Sequence, residues 1–479
     1  MLIVPLDTQS SVPLYEQIYQ YLKNEIKIGK LSVATKLPST RGLSSNLQIS
    51  RSTVELAYSQ LISEGYIESR PKSGYYVAKI GDLVTVPERL LEPKSRTISK
   101  QSRMKYDFNP FTVDMNGFPF ATWRRISNQC MNDMNQQLFL LGDSQGDLSL
   151  REAIGRYLHS SRGVNVAPEQ IIIGAGTDYL LQLLVQILRP IHAIGMENPS
   201  YKRAYQIFNG LGVDVEAIDV KKDGIDLVQL ANSQCELCYV TPSHQYPLGV
   251  VMPINKRLEL LSWASEKENR YIIEDDHDSE FRYKGKPIPS LQGIDQKDCV
   301  IYIGTFSRAI APAIRMGYMV LPKTLVNRYR EKFSYYASTV SRIDQAIMCE
   351  FINGGFFERH VNKMRTRYKS KHDTLLRALK IFRDQIRVTG EYAGLHLVVE
   401  FLVNMTEEEL LALAKTVDVQ LYGLQRHYLD ERKNQFPTVL IGFADLSESQ
   451  IEEGIQLLYE CLKQNKKEYA TPKLKAKKW

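Results

Sequence analysis

The chain has 479 residues, 43% of them hydrophobic and 24% charged, an ordinary globular balance with length for two or three domains. Its formal charge of +7 comes from 61 basic and 54 acidic side chains, but residues 461–479 alone carry seven lysines against one glutamate, so the remainder is nearly neutral and global charge is no argument for nucleic acid. Six cysteines without paired spacings fit a reducing, cytoplasmic setting better than a disulfide framework, and no apolar run reaches the roughly 20 residues needed to span a bilayer.

Ser11 and Pro13 open a helical pattern with Leu14, Ile18, Leu22 and Ile26 on one face, closed by Gly29. Thr40 is expected to cap a second, short helix carrying Leu43 and Leu47. Ser50 caps a third, with Val54, Ala57, Tyr58, Leu61 and Ile62 at helical spacing. Only a tight turn separates the last two, which is the grammar of a helix-turn-helix. Residues 66–69 and 74–77 then read as two strands of a hairpin wing around Arg70-Pro71-Lys72-Ser73.

The block from Leu37-Pro38-Ser39-Thr40-Arg41 through Ser50-Arg51-Ser52-Thr53-Val54 to Ser73-Gly74-Tyr75 closely resembles the winged helix of the GntR transcription-factor superfamily. That resemblance implies binding to double-stranded promoter DNA. Arg41 and Arg51 would contact phosphates or base edges, Ser52 would face the groove from the same helix start, Thr53 would enter the major groove, and Lys72 with Gly74 would approach the minor groove at the wing tip. A small helical domain docking on protein is the alternative. Residues 1–79 hold nine Lys/Arg against six Asp/Glu, so placement of the basic residues, rather than their number, favours DNA.

Residues 80–103 are charged, proline-containing and without period, and read as a linker. Residues 104–479 alternate apolar strands with helical patterns: 171–173, 193–196, 237–240, 271–273, 300–303 and 319–320 are the strands. Repeated βα units of this kind specify an α/β domain around a mostly parallel sheet, with ligands expected at the carboxyl ends of the strands. The lysine-rich end is expected to be a solvated tail.

Unusual residues sit at those strand ends. Gly174-Ala175-Gly176-Thr177 leads from a strand into a helix, an arrangement suited to a phosphate. Glu274-Asp275-Asp276-His277-Asp278-Ser279-Glu280 crowds acids together, which costs stability unless cations pair with them. A metal site on Asp275, His277 and Asp278 is disfavoured, because neighbouring residues rarely converge on one ion. Cys235 and Cys238 point to opposite faces of a strand and read as structural.

With Thr241-Pro242-Ser243-His244-Gln245-Tyr246-Pro247-Leu248-Gly249 and Gly304-Thr305-Phe306-Ser307-Arg308, these stretches resemble the large domain of fold-type I pyridoxal-phosphate enzymes of the aspartate-aminotransferase class. A winged helix joined to that domain is the layout of the MocR family of bacterial regulators, with particular similarity to its GabR-like branch. The resemblance implies a head-to-tail homodimer that senses a small-molecule effector. It also implies roles. Asp275 would pair with the pyridine nitrogen of pyridoxal phosphate, and Gly176, Thr177, Thr305, Ser307 and Arg315 would hold the phosphate. Gln245 would reach toward the phenolic oxygen, Tyr201 would lie near the ring, and Arg203 and Arg426 would clamp an effector carboxylate.

Two positions depart from the family. Arg308 stands where the Schiff-base lysine is expected, and His277 where a tyrosine bonds the phenolic oxygen. A guanidinium stays charged at any working pH and is no nucleophile, so Arg308 should form no Schiff base. The expected function is therefore a DNA-binding regulator, not an enzyme, whose pocket takes pyridoxal or pyridoxamine phosphate noncovalently, or another anionic or amino-acid-like ligand. The alternatives are a large domain acting only as a dimerisation scaffold, and a working aminotransferase.

Overall fold

The computed structural model describes residues 4–79, 104–285, 288–432 and 434–465, Asp133 in its backbone only. The linker expected at 80–103 and the basic tail from residue 466 lie outside these. The chain divides into two compact units, residues 1–100 and 101–479.

In the first unit, α1 (Leu14–Lys27) buries Ile18, Tyr19, Leu22 and Ile26 along one face. Gly29 follows in left-handed backbone, φ +75, and its N–H bonds to the Ile26 carbonyl. β1 (Lys36–Leu37) precedes α2 (Thr40–Leu47), and the cap of α2 is Ser39 rather than Thr40. The Ser39 hydroxyl accepts from the Gly42 N–H at 3.0 Å, while Thr40 is already helical and buried against the core. α3 (Arg51–Ser63) is capped by Ser50 as expected and buries Val54, Ala57, Tyr58 and Leu61. Ile62, expected on that face, is exposed, because the spacing drifts past the edge of the apolar stripe.

β2 (Ile67–Arg70) and β3 (Gly74–Val77) pair antiparallel as the wing. β1 adds to the other edge of β3, giving the order β1-β3-β2. A two-residue strand carries no periodicity, so β1 was invisible to pattern reading. Its pairing ties the entry to α2 to the wing.

The second unit is built on an eight-stranded sheet. Its order is 171–174, 317–320, 300–305, 271–275, 237–240, 193–198, 214–221, 224–225. All central neighbours are parallel, while 317–320 runs antiparallel between 300–305 and 171–174 and 224–225 is an antiparallel edge. Helices such as Thr177–Leu188 on one face and Ile254–Ser265 on the other leave the central strands buried on both faces, which is why they read as continuous apolar runs. A second, four-stranded antiparallel sheet (386–389, 396–401, 438–442, 422–423) packs with helices Phe356–Leu379 and Glu448–Gln464 around its own core. No described helix is long and apolar enough to cross a membrane.

Candidate ligand pocket and nucleic-acid interface

The pocket lies where the parallel strands end. Strand 271–275 delivers Asp275, and its neighbour 300–305 delivers Thr305 before the chain turns through Ser307 and Arg308. Helix 177–188 opens with Thr177 and Asp178, and Tyr201 precedes helix Lys202–Gly210. Phe111 also lines it, with Arg426 and His427 from the short turn Gln425–His427. The cavity has a volume of about 580 Å³ and is lined by Thr177, Tyr201, Asp275, His277, Thr305, Ser307, Arg308, Arg315, Arg203 and Arg426. Ten residues singled out from a 479-residue sequence thus converge on one cavity.

Arg308 is no surface arginine. Its Nε donates to Asp278 Oδ1 at 2.9 Å, Nη2 to Asp278 Oδ2 at 2.9 Å, and Nη1 to the Pro110 carbonyl at 3.0 Å. The Asp278 side chain is fully buried. Burial would raise its carboxyl, but the Arg308 guanidinium overrides that and holds it well below the usual carboxylate range. A second guanidinium answers Asp276: Arg162 donates to both of its oxygens, at 3.1 and 2.9 Å, while Glu274 accepts from the Leu291 and Gln292 N–H groups at 2.8 Å each. Two arginines thus meet part of the cost expected of neighbouring acids, and both Asp278 oxygens turn to Arg308.

Asp275 accepts a short hydrogen bond from the Tyr239 hydroxyl, and burial pushes its carboxyl up to about 6. His277 lines the cavity with Nδ1 making no hydrogen bond, 3.9 Å from Asp278 Oδ2, and burial lowers its imidazole to about 4, against the pull of Asp278. It belongs to a wall that pattern reading missed. Tyr246 lies 4.8, 5.7 and 5.4 Å from the His277, His396 and His427 rings, and His244 stacks on His277 at 6.1 Å. The Tyr246 hydroxyl has no partner, and burial pushes His244 and His427 down to about 3. These histidines come from four separate segments, so no local spacing announces them.

Gln245 is the correction. It is buried, but its amide donates to the Pro199 and Tyr246 carbonyls at 2.9 and 2.8 Å and its oxygen accepts from Leu248 N–H, so it braces the loop instead of facing the cavity. Tyr246, the next residue, is the one that faces in. Gly176 contributes by what it lacks: at φ +85, an added Cβ would lie 2.9 Å from Arg315 Nη2. Arg315 and Arg203 both reach Asp178 Oδ2, at 3.2 and 3.3 Å, a carboxylate that the sequence reading did not weigh. Arg426 stacks over Phe111 and Tyr422, 5.7 and 5.0 Å from the ring centroids, and its Nε donates to His427 Nε2 at 3.4 Å.

The residues fit a phosphorylated ligand. Ser307 Oγ is buried with no hydrogen-bond partner, two residues after Thr305, and lines the same cavity as Thr305, Arg315 and Thr177 at the start of a helix. Asp275 places a carboxyl group in the same cavity.

On the first unit, Arg41, Arg51, Ser52 and Lys72 are exposed, and Lys72 takes left-handed backbone, φ +60, at the wing tip before Gly74, φ +109. Arg51 pairs with Glu55 one turn on, at 2.7 Å. Thr53 is half-buried, with its hydroxyl 2.7 Å from the capping Ser50 hydroxyl, so it shapes the helix start. Arg70 stacks on the Tyr76 ring and bonds Glu68, which stiffens the wing.

Comparison with known proteins agrees with both halves. The model of bacterial regulatory proteins of the gntR family matches residues 14–77, and that of aminotransferase class I and II matches residues 108–453. The uncharacterized HTH-type transcriptional regulator YdeL of Bacillus subtilis is 40% identical over 95% of this chain and 97% of its own length. The probable rhizopine catabolism regulatory protein MocR of Rhizobium meliloti is 32% identical, over 95% and 94%. Among solved structures, a Pyrococcus horikoshii kynurenine aminotransferase, solved in complex with PMP, superposes with a TM-score of 0.67 at 25% identity, covering 76% of this chain and 92% of that one.

Proposed function

The chain belongs to the MocR-like HTH-type transcriptional regulators, a gntR-family winged helix fused to a class I and II aminotransferase domain, and from that premise we propose that its large domain is a ligand sensor without catalytic turnover. DNA binding belongs to the first unit. The carrying observation for the second is Arg308, charged and fixed on a buried carboxylate at the end of the phosphate-cup turn.

Thr177, Thr305, Ser307 and Arg315 are the residues we assign to a ligand phosphate, with Gly176 leaving room for the Arg315 head. Asp275 is assigned to a pyridine nitrogen, Tyr201 and His277 to the ring's surroundings, and Arg203 and Arg426 to an effector carboxylate. Pyridoxal phosphate, when bound, supplies an electron-withdrawing ring and an aldehyde. The guanidinium of Arg308 has no lone pair to attack that aldehyde, so we assign the binding as noncovalent. For the winged helix we assign Arg41, Arg51, Ser52, Lys72 and Gly74 to the DNA surface, with Thr53 shaping the start of the reading helix. The working form we propose is a cytoplasmic homodimer, each copy carrying one winged helix.

Equilibrium dialysis with pyridoxal phosphate, followed by borohydride reduction and peptide mapping, tests the pocket. We expect retained ligand and no pyridoxyl adduct at position 308. A stoichiometric adduct on a pocket lysine would sink the noncovalent reading. Selection of DNA from a random pool by the full chain tests the other unit, with enrichment of a paired half-site expected.

A further inference from the structure

We infer that Arg308 makes the inner wall of the pocket a receptor for a neutral hydrogen-bond acceptor and a barrier to an ammonium group, so that among phosphorylated pyridines the pocket takes the hydroxymethyl or aldehyde form and turns away the aminomethyl form. This rests on the reading of the cavity as a site for a phosphorylated pyridine.

A ligand held by Thr305, Ser307 and Arg315 at one end and by Asp275 at its ring nitrogen turns its remaining substituents toward Arg308, His277 and Tyr246, which line the same cavity. A guanidinium has five N–H donors in a fixed plane. Three are engaged, by the two Asp278 oxygens and the Pro110 carbonyl, leaving one hydrogen on Nη1 and one on Nη2. Arg308 lines the cavity, and 17% of its side chain remains accessible. Those two hydrogens are what the guanidinium has left to offer a ligand, and both are donors.

An ammonium carries donors only, so it cannot meet that fork. Nor does it find a free carboxylate. Asp278 is fully buried, with Oδ1 on Nε and Oδ2 shared between Nη2 and the Leu395 N–H at 3.3 Å. Asp276 is held by Arg162 and by the Ser279 hydroxyl at 2.8 Å, and Asp178 by Arg203 and Arg315. Burial raises Glu280 to about 8, which keeps it mostly protonated at neutral pH. His277 and Tyr246 offer an imidazole and a hydroxyl that serve as donor or acceptor, and so leave the discrimination to Arg308. Burying an ammonium without a counter-charge is strongly unfavourable, whereas an oxygen that accepts from a guanidinium gains a charge-assisted bond.

The test uses two isosteric probes that form no covalent bond with lysine. Pyridoxine 5′-phosphate and pyridoxamine 5′-phosphate are titrated calorimetrically into the full-length protein at pH 7, with inorganic phosphate as competitor. We expect pyridoxine phosphate to bind about tenfold or more tightly, and the paired variant Arg308→Met with Asp278→Asn, which removes the fork without stranding a carboxylate, to bring the two within about twofold. Equal affinities, or a preference for the amine, in the wild-type protein would overturn the inference while leaving the phosphate-site reading intact. If neither probe nor phosphate binds, both fall together.

Discussion

The Arg308 guanidinium and the Asp278 carboxylate meet edge to edge, Nε to Oδ1 and Nη2 to Oδ2 at 2.9 Å each, with the carboxylate sealed from solvent. Asp278 reaches this position from left-handed backbone at φ +52, which aspartate tolerates better than most residues. Breaking such a pair leaves one charge buried and unanswered. Either Arg308→Ala or Asp278→Asn should cost about 3–5 kcal/mol in denaturant unfolding, and the two together should cost less than the sum of the single changes. Additive losses would mean that the pair is not coupled.

The same pair sets a pH dependence. The Asp278 pKa is depressed on folding, so its contribution to stability is fully present above its unfolded value of about 3.9 and is lost as pH falls through that value toward the folded one. Thermal melts between about pH 5 and pH 3 should fall more steeply for the wild-type chain than for Asp278→Asn. Parallel slopes would contradict the assignment.

Gly176→Ala places a Cβ in left-handed backbone and against Arg315. The strain should cost about 1–2 kcal/mol in stability, and the displaced Arg315 should weaken binding of a phosphorylated ligand. Calorimetry on the variant reads both, by melting temperature and by Kd.

For DNA, Arg51→Ala should reduce the slope of log K against log salt by about one unit. The exposed Arg51–Glu55 pair that must open first is worth only about 0.3–0.5 kcal/mol. Lys72→Ala should act similarly, and unchanged slopes in fluorescence anisotropy would remove these residues from the interface.

Ser50→Ala removes the hydroxyl that accepts from the Thr53 N–H at 3.2 Å. It should destabilise the winged helix by about 1 kcal/mol, visible as a lower unfolding midpoint, and replacement by Asp should restore most of it.

The sequence by itself determined the two-part architecture, the apolar faces of α1 and α3, the buried strands, and residues such as Thr177 and Thr305 at the strand ends, because each is a local pattern: helical spacing, an apolar run, a glycine turn at a strand end. It also displayed Arg308 where an amine was expected. The tertiary structure decided what that arginine touches, since Asp278 lies thirty positions away and reaches it through a backbone turn that no periodicity encodes. It decided that Gln245 braces a loop while Tyr246 faces the cavity, because a single residue's direction in an irregular segment depends on which neighbouring carbonyls need a donor. It gathered His244, His277, His396 and His427 around Tyr246 from separate segments, and burial there holds the imidazoles neutral beside a charged guanidinium. Local chemistry was legible in order along the chain. Convergence was not, because long-range contact and desolvation are properties of the folded molecule alone.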